Sequence, residues 1–176
     1  MFDVREYISK ALSMGITNAK IIDTKSIVVA NWVRLKCQYG CGSHGKHLTC
    51  PPYSPLPDYT KKMVNEYSKA LLMQIEKIPP QKELQMSRKL RRIVAGLERE
   101  LFLDGYHKAF GMASGPCRLC RTCDTEKSCK YPDEARPSME ACGIDVYLTV
   151  RNNGLKLEVV KTEDSCCTYN GLILVE

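Results

Sequence analysis

Several common signatures are missing from this chain, and each absence removes a class of function. No apolar stretch approaches the length of a membrane span, so no membrane association is expected. Residues 1–10 lack a basic start followed by a long apolar run, so no signal peptide is expected either. There is no G-x-x-x-x-G-K-[ST] phosphate loop, no G-x-G-x-x-G behind a strand and no G-x-S-x-G elbow. The C-x3-C-x2-C spacing of radical S-adenosylmethionine chemistry is also missing, because Cys37-x3-Cys41 has no third cysteine two residues on. No fixed-period repeat, low-complexity tail or linker divides the 176 residues, which predicts a single metal-binding domain over 1–176.

What the chain has in excess is cysteine, with ten in all. In a secreted protein that number would argue for a disulfide framework; in a reducing compartment it argues for metal ligation. With no signal peptide in view, a cytoplasmic location and metal sites are expected. The formal charge of +6 suggests nucleic-acid binding, but it counts every thiol as neutral. Four thiolates around a four-iron core, or around Zn²⁺, make a site of about −2. Two such sites would bring the chain from +6 to about +2. The basicity is then the counter-charge of the metal centres, and no nucleic-acid partner is expected.

The central motif is GPCRLCRTCDTEKSCKYP, residues 115–132, with Cys117, Cys120 and Cys123 at three-residue steps and Cys129 before a proline. Three thiolates in that register turn towards one point with backbone N–H groups between them, which suits one face of an iron–sulfur cubane. An all-cysteine zinc tetrahedron is the rival, although zinc sites more often pair two separated C-x-x-C knuckles. A second group, CQYGCGSHGKHLTCPP, carries Cys37, Cys41 and Cys50 on a glycine-rich loop stiffened at its exit by Pro51-Pro52. Its spacing matches no common zinc finger. Three thiolates leave a fourth ligand open, and Cys129, Cys142, Cys166, Cys167, His44 and His47 are the candidates. His44 and His47 also read as ordinary loop residues, and Cys142 as a small buried hydrophobe.

Around these groups the chain alternates helix and strand. Asp3 reads as the cap of a first helix that Gly15 stops, and residues 19–22 and 27–30 read as strands. Residues 32–36 alternate apolar and charged side chains on the way to Cys37. A helix from Pro57 to about residue 67, a buried strand over 70–75 and a long helix over 82–103 follow. On the long helix Met86, Leu90, Ile93, Val94, Leu97 and Leu101 form the apolar stripe, which leaves Arg88–Arg92 as a solvated basic face. Residues 106–113 predict a strand, Asp145 caps a helix through 151, and residues 155–161 and 172–175 predict the last strands. The expectation is an α/β fold: a single sheet with flanking helices, and two cysteine-rich metal-binding loops at one end.

With both cysteine groups in view, nearly the whole chain resembles a family of predicted metal-binding proteins, domain of unknown function 2284. The segments that carry the resemblance are WVRLKCQYGC, LTCPPYSP, GPCRLCRTC, CKYP, ARPSMEACGIDV and SCCTYNGLILVE. It implies a ligand role for Cys37, Cys41, Cys50, Cys117, Cys120, Cys123 and Cys129, and it implies no reaction or substrate.

Three functional readings follow. The first is an iron–sulfur protein with one or two [4Fe–4S] clusters, acting as an electron-transfer or redox accessory module. Arg118, Arg121, Lys127, Lys130 and Arg136 would then stabilise the cluster or guide an acidic redox partner protein. The second is an iron–sulfur enzyme with an open iron at a three-cysteine cluster, suited to sulfur transfer or desulfuration. The third is a zinc-stabilised binding module.

Overall fold

The central strand, KALLMQIEKI, is buried on both faces. In the computed structural model, which describes residues 3–176, it forms β2, Lys69–Ile78. Ala70, Leu71, Leu72, Met73 and Gln74 are all fully buried, as expected of a near-continuous apolar run covered on both sides. Antiparallel neighbours flank it, β1 (Asn18–Asp23) on one side and β4 (Cys167–Leu174) on the other. A short β3 (Phe110–Met112) pairs with β4, giving the order β1-β2-β4-β3.

Because side chains alternate along a strand, β2 feeds two separate cores. Leu71, Met73 and Ile75 pack beneath α1 (Glu6–Ser13) and α4 (Glu83–Leu103), meeting Tyr7, Ala11, Leu90, Val94 and Leu97. Ala70 and Leu72 face the other way, towards Val64 of α3 (Pro57–Val64), Val150 of α5 (Val146–Asn152), and Met139, Cys142 and Ile144. Among the described residues, one sheet with five helices makes the α/β fold the sequence led us to expect; the fifth helix, α2, spans Asn31–Gly40. Among the described residues no helix is long and apolar enough to cross a membrane.

Several elements differ from the sequence reading. Residues 32–36 belong to helix α2, so the alternation there reflects a helix with one buried residue, Val33. Residues 27–30 do not join the sheet. Their backbone bonds to the 143–149 segment instead, through Ala30 N–H to Gly143 O (2.9 Å), Asp145 N–H to Val28 O (2.8 Å) and Val28 N–H to Thr149 Oγ1 (3.0 Å). Residues 155–161 form no strand. Lys156 O accepts from the Gln74 side chain (3.0 Å) and Leu157 is buried in the second core, so side chains anchor the segment without a ladder. The 106–113 strand shrinks to β3, while β4 starts earlier than expected, at Cys167. The α3 helix stops at Val64. Asp3 accepts from Arg5 N–H (2.9 Å) ahead of α1 and does not act as its N-cap. Asp145 caps α5 as expected, accepting from Leu148 N–H (2.9 Å).

Helix α4 lies unusually close to the sheet. A Cβ on Gly111 would come within 2.5 Å of a Val94 methyl and 2.7 Å of Glu98 Oε2, and one on Gly171 within 3.0 Å of the other Val94 methyl. Glycine at these sheet positions lets α4 settle onto β3 and β4. Gly111→Ala is therefore expected to destabilise the fold by about 1–3 kcal/mol through overpacking. Urea unfolding checks this, with an unchanged midpoint as the contrary result.

Candidate metal centre

Helix α2 delivers Cys37 to its last turn, and Cys41 follows immediately, where the backbone has already become extended (φ −114°, ψ 119°). One turn before Cys37, Arg34 fastens this end of the helix. Its Nη1 donates to Ser54 Oγ (2.9 Å), Pro55 O (3.1 Å) and Ala141 O (3.0 Å). Ser54 Oγ in turn donates to Ala141 O (2.6 Å). The loop after Cys50 and the turn around Ala141 are thereby tied to the helix that carries Cys37. Cys50 is buried, and its carbonyl accepts from Tyr53 and Ser54 N–H. Cys37 Sγ lies 3.9 Å from Glu140 O.

The second group lies on an irregular loop held at both ends by α4. Arg91 is 1% exposed, and its guanidinium donates to the carbonyls of Ser114 (3.3 Å), Gly115 (3.2 Å) and Pro116 (3.1 Å), directly before Cys117. It also bonds Arg136 O. Two turns further along α4, Glu98 receives Arg136 in a bidentate pair, Nε to Oε2 (2.6 Å) and Nη2 to Oε1 (2.8 Å), both side chains largely buried. Arg136 Nη1 donates to Pro132 O and Ala135 O (3.0 Å each), closing the loop's far end. This corrects the reading of residues 88–92 as a wholly solvated basic face. Arg88 and Arg92 are exposed, but Arg91 points inward. Arg136 likewise belongs to the scaffold, not to a free basic rim.

Cys117, Cys120, Cys123 and Cys129 are half-buried and line one small cavity of about 20 Å³, with His47, Leu48 and Thr49 of the first loop on its wall. Cys37, Cys41 and Cys50 line a different cavity, which Ser114, Gly115 and Pro116 also border. Each cysteine loop thus forms part of the other's surroundings. Among the described residues, no three His, Cys, Asp or Glu side chains are grouped as for a single bound ion. Of the fourth-ligand candidates, His44 borders the larger cavity and His47 the smaller. Cys142 is fully buried in the second core, and Cys166 and Cys167 border neither cavity.

The electrostatics show what these thiols lack. Burial, then the neighbouring Cys41, pushes the Cys50 thiol up to about 11; burial, Cys41 and Glu140 raise Cys37. Cys120 is raised by desolvation and by Cys123, Cys117 and Cys129. Neighbouring thiols that oppose one another's ionisation are stabilised as thiolates by a cation, which must displace their protons. Burial followed by Arg118, Arg91 and Lys46 lowers the pKa of His47, which favours the neutral imidazole. Burial lowers the pKa of Arg91, while the sulfurs of Cys117 and Cys50 oppose that shift. The donor set is soft sulfur, and no carboxylate borders the four-cysteine cavity. It therefore fits zinc or iron–sulfur chemistry and not a hard, oxygen-seeking cation.

The family profile described as "predicted metal-binding protein", domain of unknown function 2284, matches residues 20–175. No curated protein and no solved structure matches the chain.

Arg91 and Glu98 escaped the sequence reading because both are charged and lie on a helix whose apolar stripe was already accounted for. A signal was present: Ser87, Arg91, Ala95 and Glu98 recur at helical spacing, all four are buried, and opposite charges stand two turns apart. Arg91→Ala is expected to cost about 3 kcal/mol or more, because several buried carbonyls lose a charged donor. Arg88→Glu should stay within about 0.5 kcal/mol. Chemical denaturation of both variants checks this, and equal stability of the two would contradict the clamp.

Proposed function

Because the chain belongs to this family of predicted metal-binding proteins, we propose that it is an iron–sulfur protein with a [4Fe–4S] cluster at Cys117, Cys120, Cys123 and Cys129. A second centre sits beside it at Cys37, Cys41 and Cys50. The observation that carries this reading is the single cavity lined by four thiols and no carboxylate, on a loop fastened at both ends to α4. Around one zinc the sulfurs would stand about 3.8 Å apart, given Zn–S near 2.3 Å. A cubane spreads its thiolates wider, since each binds a different iron. The continuous C-x2-C-x2-C register suits the cubane.

When bound, such a cluster supplies one-electron transfer. The chain contributes insulation and a docking charge. Cys117, Cys120, Cys123 and Cys129 are half-buried, while Arg118, Arg121, Lys127 and Lys130 beside them are exposed. That rim suits transient contact with an acidic redox partner.

A second reading, an enzyme with an open iron at the three-cysteine site, is favoured by one observation. Cys37, Cys41 and Cys50 border a cavity of about 650 Å³, whereas the four-cysteine cavity is about 20 Å³. The former has room for a small molecule beside its thiols.

Protein purified without oxygen is expected to be brown and to carry iron and acid-labile sulfide. Cys120→Ser should remove about four irons and one cluster's visible absorbance. Cys41→Ser should lower iron content while leaving the Cys117–Cys129 centre in place. Colourless protein with stoichiometric zinc would overturn the assignment in favour of a zinc-stabilised module.

A further inference from the structure

The larger cavity has a chemical character of its own, apart from the thiols on its wall. Val33, Ile144, Val146 and Leu157 make it apolar, and Trp32 and Tyr147 are exposed aromatic side chains on its border. Its volume of about 650 Å³ falls within the range typical of small-molecule sites. Trp32 is on the same helix as Cys37, five residues or about 7.5 Å along its axis.

Two polar atoms of its lining residues are buried with no hydrogen-bond partner, Asn170 Oδ1 and Glu140 Oε2. Buried acceptors in folded proteins are nearly always paired, so each needs an explanation. Asn170 is only 4% exposed and sits on β4 directly opposite Gln74 of β2. Gln74 is satisfied within the protein, donating to Lys156 O (3.0 Å) and accepting from Asn18 Nδ2 (3.4 Å). Of two amides on one rung of the sheet, one is used for folding and the other is left with a free acceptor at the cavity.

We infer that this cavity binds a small planar nitrogen heterocycle with an amide-type edge, of the lactam kind found in nucleobases. A carboxamide pairs a donor with an acceptor, and its matched partner is another N–H beside a carbonyl. Asn170 reads that edge. Glu140 Oε2 accepts a second N–H, and the flat faces lie against the apolar walls. Lys36 offsets Asp145 on the lining, and burial pushes the Glu140 carboxyl up towards its neutral form, so the cavity suits an uncharged ligand. A bound heterocycle has Cys37, Cys41 and Cys50 on the wall beside it, whichever metal those thiols hold. The inference therefore goes beyond the cluster assignment and does not rest on it.

Trp32 is the only tryptophan in the chain and borders the cavity, so its emission reports occupancy. Full-length protein as purified is titrated with uracil, cytosine and hypoxanthine, and in parallel with benzoate as an anion of similar size. Equilibrium dialysis gives the stoichiometry. Saturable binding of at least one heterocycle, one per chain, is expected, with none for benzoate. Asn170→Leu should weaken that binding about tenfold or more while leaving metal content unchanged. Should Asn170→Leu fail to fold, Val159→Arg at the exposed rim obstructs the same cavity and should have the same effect. The inference is overturned if no heterocycle saturates at millimolar concentration, if benzoate binds equally well, or if the folded variants bind like the parent. Metal content measured on the same samples separates this failure from failure of the cluster assignment.

Discussion

A buried guanidinium holds this structure together. Arg91 projects from α4 into a ring of backbone carbonyls contributed by residues 114–116 and 136. A loop of some fifteen residues with no helix or ladder of its own cannot pair its own backbone groups, so its ends need external donors and acceptors. Arg91 supplies the donors at both ends, and Glu98 anchors Arg136 as the second fastening. The same Glu98 accepts from Gly111 N–H (2.9 Å), which ties the clamp to β3. Position, charge and packing of the cysteine loop therefore trace to one face of α4.

The other cysteine group is fastened by similar means from the opposite side of the sheet. Arg34 and Ser54 converge on Ala141 O, so α2, the exit from Cys50 and the turn before Gly143 are tied at one acceptor. A Cβ on Gly143 would come within 2.8 Å of Pro57, which sets α3 hard against that turn. Both scaffolds use arginine because its planar fork bonds several carbonyls at once and keeps its charge when buried. Their positive charge also opposes the repulsion of thiolates gathered nearby, so the groups that shape the loops also favour an anionic centre.

Much of the architecture was legible because it rests on local rules. The 70–75 apolar run, the heptad-like stripe from Leu90 to Leu101 and the Asp145 cap each carry their signal within a few residues. Segments 27–30 and 155–161 misled because their β-branched and alternating side chains are equally at home in an extended chain outside the sheet. What paired them was decided elsewhere, by Thr149, Gly143 and Gln74.

The cysteines themselves, their spacing and the soft-metal chemistry they imply were determined by the sequence alone, since ligand type follows from residue type. Which thiols share a cavity, and how the two groups adjoin, depends on contacts between residues far apart in the chain, such as Arg91 with Gly115 or Arg34 with Ala141. A charged residue's burial depends on the partners that the fold brings to it. Arg88 and Arg91 are therefore alike in sequence, yet one is exposed and the other is buried against the carbonyls that precede Cys117.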